Sequence, residues 1–147
     1  MKKKSIALAS VIVILNAALL FFWPYLKMEF ASSAYYKQDD TKKYNYYTPE
    51  LLKHIPRISS NYTFEFGHVS GPEAYVYTVR FQTATDTEEI NNYLTSAGYR
   101  LQTQCDVEAE CWRKPLSRDI VTVIKYTAPD CIVVQIYRSQ YVEPYAG

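Results

Sequence analysis

From Ile6 to Leu26 the chain is apolar, broken only by Ser10, Asn16 and Pro24, and Lys2, Lys3 and Lys4 stand just before that run. At about 1.5 Å per helical residue, a segment of this length crosses a hydrocarbon core of about 30 Å. We read residues 5–26 as a single transmembrane signal-anchor preceded by a four-residue tail, residues 1–4. Three lysines precede the run and only Lys27 directly follows it, so the positive-inside bias places the amino terminus in the cytoplasm and the rest of the chain beyond the membrane. A cleaved signal peptide also starts basic, but its apolar core spans about 7–15 residues and ends at a small-x-small site. The nearest such site, Ser32-Ser33-Ala34, lies past Lys27 and Glu29, so retention is expected. The expected location is the bacterial inner membrane, with the carboxy-terminal domain in the periplasm.

Three of the 16 basic residues precede the membrane, leaving 13 against 15 acidic ones, a balance of about −2 for the exported part. With no arginine-rich stripe, nucleic acid is not an expected ligand. About 120 residues are enough for one domain with one core. From Ala31 to Tyr47 the chain has no aliphatic residue larger than alanine and no helical periodicity, so residues 27–47 are expected to form a stalk between anchor and domain. Its tyrosines, Tyr35, Tyr36, Tyr44, Tyr46 and Tyr47, have two readings: rings lying at the headgroup interface or packed on the domain, or a partner-binding strip.

The domain is expected over residues 48–143, with a tail at 144–147. Thr48 as N-cap, Pro49 at the first helical position and Pro56 beyond the end predict a short helix over 48–55. Alternation over 61–66 and 75–83, with Tyr62, Phe64, Phe66 and Tyr75, Tyr77, Val79, Phe81 on single faces, predicts a hairpin turning at Gly67–Pro72. Asp86 at an N-cap, Glu89 three residues on and the stripe Ile90, Tyr93, Leu94, Ala97 predict a helix closed by Gly98. Four strand-like runs follow, at 99–105, 111–116, 120–127 and 131–139, joined by connections short enough to demand antiparallel neighbours. The expected fold class is α+β: one transmembrane helix, a β-hairpin, one helix and a four-stranded antiparallel meander forming a curled sheet or partial barrel. One helix covers only part of such a sheet, so either the sheet curls or a partner covers the remainder.

Three cysteines in an exported domain predict one disulfide and one thiol. The meander places Cys105 at the end of one strand and Cys111 at the start of the next, within bridging distance, with Cys131 about two strand spacings away at the same edge. Cys105–Cys111 is the expected bridge, and a sheet curled enough to bring Cys131 into range would change that assignment. It would be a stabilising staple, since no Cys-x-x-Cys pattern is present.

No catalytic constellation is visible. His54 sits on a short helix and His68 in a turn, neither with a matched partner. Gly67-His68-Val69-Ser70-Gly71 places its serine at the wrong offset for a hydrolase elbow and lies between strands. Acidic residues Asp106, Glu108 and Glu110 mark a hairpin tip without the density of oxygen ligands that calcium needs. They read as a solvated tip or as a surface for a basic partner. No cofactor and no metal are expected, and binding is the expected activity.

A short tail, one signal-anchor over Lys2 to Leu26, and a small exported domain with hairpin, helix and meander to Ser139 resemble the FidL-like and VtrC-like membrane proteins, companions of ToxR-type transmembrane transcription regulators. The resemblance implies a companion that docks on a regulator's periplasmic domain as a heterodimer, stabilises it, and in some members helps hold a hydrophobic signal such as a bile salt. The residues offer Tyr62, Phe64, Phe66, Tyr75, Tyr77, Phe81, Trp112, Ile124, Tyr126 and Ile136 as the lining of such a pocket, or as an ordinary core. Arg80, Gln82, Arg113 and Gln135 are the polar groups available to orient a ligand. The rival expectation is a membrane-tethered immunity protein that offers its acidic tip and exposed tyrosines to an envelope-acting toxin.

Overall fold

The computed structural model describes residues 1–105 and 107–140. Two units divide the chain, Met1–Ala31 and Ser32–Gly147. The first is one helix, α1 (Lys2–Phe30), apolar and long enough to cross a membrane. It continues through Pro24 and four residues past the expected end at Leu26. Proline removes a single backbone donor, and the flanking turns hold the helix on either side. Lys27 lies over the Trp23 ring at 5.6 Å, the pairing of a charge and an amphipathic ring suited to a membrane boundary.

The second unit is α+β. Among the described residues its antiparallel sheet has seven strands: β1 (Ser33–Tyr36), β2 (Tyr62–Val69), β3 (Ala74–Gln82), β4 (Arg100–Leu101), β5 (Glu110–Arg113), β6 (Asp119–Tyr126) and β7 (Cys131–Ser139). Their order is β1-β2-β3-β7-β6-β5-β4, so the sheet is open and β7 joins the hairpin to the meander. Three short helices accompany it: α2 (Thr41–Tyr47), α3 (Glu50–Lys53) and α4 (Glu88–Ser96).

The expected stalk is therefore regular over much of its length. β1 pairs with β2, Tyr36 opposite Phe64, and α2 follows with Asp40 accepting from the Lys43 amide at its start. Aromatic rings replace the missing aliphatics: Tyr47 stacks on Phe66 at 4.6 Å, Tyr44 meets Phe64 edge-on at 5.3 Å, and Tyr36 stacks on Phe64 at 5.7 Å. The helix expected over 48–55 shrinks to α3, because Thr48 is drawn inward. Its buried hydroxyl bonds the Tyr36 hydroxyl at 2.8 Å instead of capping. Gly67, His68 and Val69 belong to β2 rather than to the turn, and the expected strand over 99–105 is only β4.

Register sorts the side chains onto two faces. Tyr36, Phe64, Val79, Val134, Val123 and their even-spaced neighbours share the helix face, where Phe64, Phe81, Val79, Val121, Ile132, Val134 and Ile136 are fully buried. Leu52 and Ile55, with Ile90 and Leu94 from the predicted stripe of α4, complete this core, and the Tyr93 hydroxyl donates to the Leu51 carbonyl at 2.7 Å. Arg57 fastens the layer. Its guanidinium donates to the carbonyls of Leu52, Lys53 and Ile55, to the Tyr44 hydroxyl and to Gln38, and lies over the Tyr62 ring at 5.1 Å.

A candidate groove on the open sheet face

Strands β6 and β7 carry nearly continuous apolar runs, Ile120-Val121-Thr122-Val123-Ile124 and Cys131-Ile132-Val133-Val134. Half-buried strands alternate, whereas runs of this kind belong to strands whose two faces both avoid water. Val121 and Val123 of β6 and Ile132, Val134 and Ile136 of β7 serve the helix core. Ile120, Thr122, Ile124 and Tyr126, with Val133, Gln135 and Tyr137, fall on the opposite face.

That open face holds a groove of about 780 Å³. Ile120, Thr122, Ile124, Lys125 and Tyr126 of β6, Gln135 and Tyr137 of β7, and Cys111 of β5 form its floor and sides, and Val107, Glu108 and Ala109 form one wall. The Cys105–Cys111 disulfide holds this wall to the sheet, its Cα atoms 5.6 Å apart. One ladder row runs Glu65, Thr78, Gln135, Thr122, Cys111 across five strands. Thr78 and Thr122 are buried on it, and Gln135 reaches the Thr78 hydroxyl at 3.5 Å. The groove thus joins apolar sides to a hydroxyl-and-amide floor, with Lys125 and Glu108 as its charged groups. Such a surface suits an apolar body that also needs a few hydrogen bonds.

The ten residues expected to line a pocket do not share one face. Tyr62, Phe64, Phe66, Tyr75, Tyr77, Phe81, Trp112 and Ile136 lie on the helix face and build the core or its aromatic margin, Phe66 packing on Tyr75 and Tyr77. Ile124 and Tyr126 alone line the groove, separated from the others by strand parity. Of the expected polar groups, Arg80 pairs with Glu65 at 3.7 Å beside the groove and contacts the Cys131 sulfur at 3.9 Å, and Gln135 lines it. Ile120, Thr122, Lys125 and Tyr137 are not among the expected residues, although the two-sided apolar run of β6 carries the signal for Ile120 and Thr122.

Among the expected partner-binding residues, Tyr36 and Tyr47 are buried, Tyr44 is half-buried, and Tyr35 and Tyr46 are exposed. Glu108 stands at the groove wall and Glu110 opens β5 on the surface, while Asp106 lies outside the described residues. Cys131 is a buried free thiol. It does not share an edge with the bridge: Cys111 is level with Thr122, and Cys131 with Tyr126, four residues further along β6.

On the helix face, Arg138 makes a two-pronged ion pair with Asp119, at 2.7 and 2.9 Å, and lies over the Tyr77 ring at 5.2 Å. Donating hydrogen bonds to the Asp119 carboxylate raises the Arg138 pKa, and burial raises those of Tyr77 and Tyr99. His54 is exposed and bonded to Glu50 at 3.2 Å, and His68 packs on Tyr75 at 5.0 Å; both are thus engaged by structural neighbours. Compared with family models, curated proteins and solved structures, the chain finds no match.

Proposed function

We propose that this chain is a membrane-tethered binding protein that works without catalysis, its domain held in the periplasm by α1 in the inner membrane. The domain docks on a ToxR-like transmembrane transcription regulator, stabilises it, and with it shelters a hydrophobic signal such as a bile salt. The observation that carries this reading is the groove on the open face. It is a sheet surface with core-like composition, held half-covered by a disulfide-fastened wall, and lined by groups that bind rather than react. The layout of anchor, hairpin, helix and meander, which resembles the FidL-like and VtrC-like companions, supplies the kind of partner.

The test is affinity purification of the full chain from membranes, with co-purifying proteins identified by mass spectrometry, beside an Ile124→Asp variant that charges the groove. The expected result is a transmembrane regulator recovered with the wild type and lost with the variant. Recovery of an envelope toxin would replace this function with that of an immunity protein, and recovery of a secretion apparatus would overturn both. For the signal, a bile salt should raise the thermal midpoint of the chain with its regulator bound; no shift would remove the ligand from the proposal.

A further inference from the structure

Asn16 stands at the centre of the apolar run, ten residues after Ile6 and ten before Leu26. Its carboxamide offers one acceptor and two N–H donors. One N–H reaches the Ile12 carbonyl at 2.8 Å, while the other N–H and Oδ1 have no partner among the described residues. Ser10, the other polar side chain of the run, is satisfied within its own helix by a bond from its hydroxyl to the Ile6 carbonyl at 2.9 Å. In hydrocarbon no water completes an amide, so a half-satisfied carboxamide at mid-depth favours contact with another helix that can complete it.

We infer that Asn16 joins two copies of this chain within the membrane through reciprocal carboxamide hydrogen bonds between their α1 helices. Two features favour a second copy over a foreign helix. A carboxamide is self-complementary, so a twofold axis lets each Asn16 donate to and accept from the other with no additional residue type. Depth is matched automatically, because two copies that cross in the same direction carry Asn16 at the same level, whereas a different helix must happen to place a polar group there. At about 100° per residue, Ala9, Ile12 and Leu20 lie within about 40° of Asn16 around the axis and would form the contact, while Val11, Ile14 and Ala18 lie beyond about 140° and would face lipid. The inference rests on α1 crossing a membrane and is independent of the regulator named above.

The test is oxidative cross-linking of the full chain in native membranes, with Cys131→Ser as the background and single cysteines introduced along α1. Ala9→Cys, Ile12→Cys and Leu20→Cys should give homodimers, and Val11→Cys, Ile14→Cys and Ala18→Cys should not. Adding Asn16→Leu should lower dimer formation about 3- to 30-fold, and Asn16→Gln should keep most of it. Equal yields on the two faces, cross-links only to a different protein, or an unchanged yield with Asn16→Leu would each overturn the inference. Alkaline extraction of the same membranes separates the two kinds of failure: a chain released by it was never membrane-spanning, and the premise falls first.

Discussion

Replacing Arg57 by methionine keeps much of the side chain's bulk and removes its fork, and it asks whether residues 38–47 belong to the fold. α3 has four residues, so every carbonyl in it is terminal and needs a partner from outside the helix. Arg57 supplies donors to the carbonyls of Leu52 and Lys53 at its end and to that of Ile55 just beyond, and the same guanidinium reaches Tyr44 of α2 at 3.1 Å. A hydrogen bond from a charged donor is worth about 1.5–3 kcal/mol when buried. Arg57 is only half-buried, and water can replace part of what is lost. We therefore count about 1 kcal/mol for each of two bonds, plus about 0.5–1 kcal/mol for its seat over Tyr62, giving about 2.5–3 kcal/mol in all. With a urea slope of about 1.5–2 kcal/mol/M, the midpoint should fall by about 1–2 M. The assay is equilibrium urea unfolding of the full chain in detergent, followed by tyrosine fluorescence, with Arg57→Lys as companion. Lysine keeps the charge but cannot span several acceptors, so it should recover less than half of the loss. A shift within about 0.5 kcal/mol for Arg57→Met, the range of an ordinary surface substitution, would refute the account of Arg57 as the fastening between α2, α3 and the sheet.

Changing Cys105 and Cys111 together to serine should cost about 2 kcal/mol, the loop-closure value for a sequence separation of six, and peptide mapping of the wild type without reductant should show this pair joined and Cys131 free. Burial pushes the Tyr36 hydroxyl up to about 12 from an ordinary value of 10, and burial also raises the pKa values of Tyr77, Tyr93 and Tyr99. The unfolded chain therefore loses these protons first. The stabilisation is complete below pH 10 and disappears as pH climbs from 10 to about 12, and an ultraviolet titration should show Tyr36→Phe removing a tyrosine that ionises at about 12. Leu94→Ala, at a fully buried position on α4, should cost about 2–4 kcal/mol by denaturant unfolding.

The parts of the fold visible in the sequence are those whose signals are local. The stripe of α4, the facing alternations of β2 and β3, the bounds of β7 and the bridge between Cys105 and Cys111 all rest on spacing within a few residues. β1 and α2 lack the aliphatic periodicity that marks a buried element, because Tyr36, Tyr44 and Tyr47 bury aromatic rings instead, and the Tyr36 and Tyr44 hydroxyls stay hydrogen-bonded. Thr48 has the chemistry of a cap, but a buried tyrosine hydroxyl claimed it. The site was half legible. Apolar runs on β6 and β7 announce two water-avoiding faces, but which residues share a face depends on the pairing of Val121 with Ile136, a contact between distant positions. Grouping Ile124 and Tyr126 with Ile136 is a one-residue slip in parity, and that is enough to move a side chain through the sheet.

Among the described residues β7 is the last strand in sequence, yet it lies in the middle of the sheet, with β3 on one side and β6 on the other. Until Cys131–Ser139 arrives, the earlier hairpin and the later ribbon are separate fragments, each with an open seam of backbone donors and acceptors. Maturation of this domain is thus tied to delivery of β7, and a chain halted before Cys131 would be a sticky substrate for proteases rather than a partly working domain.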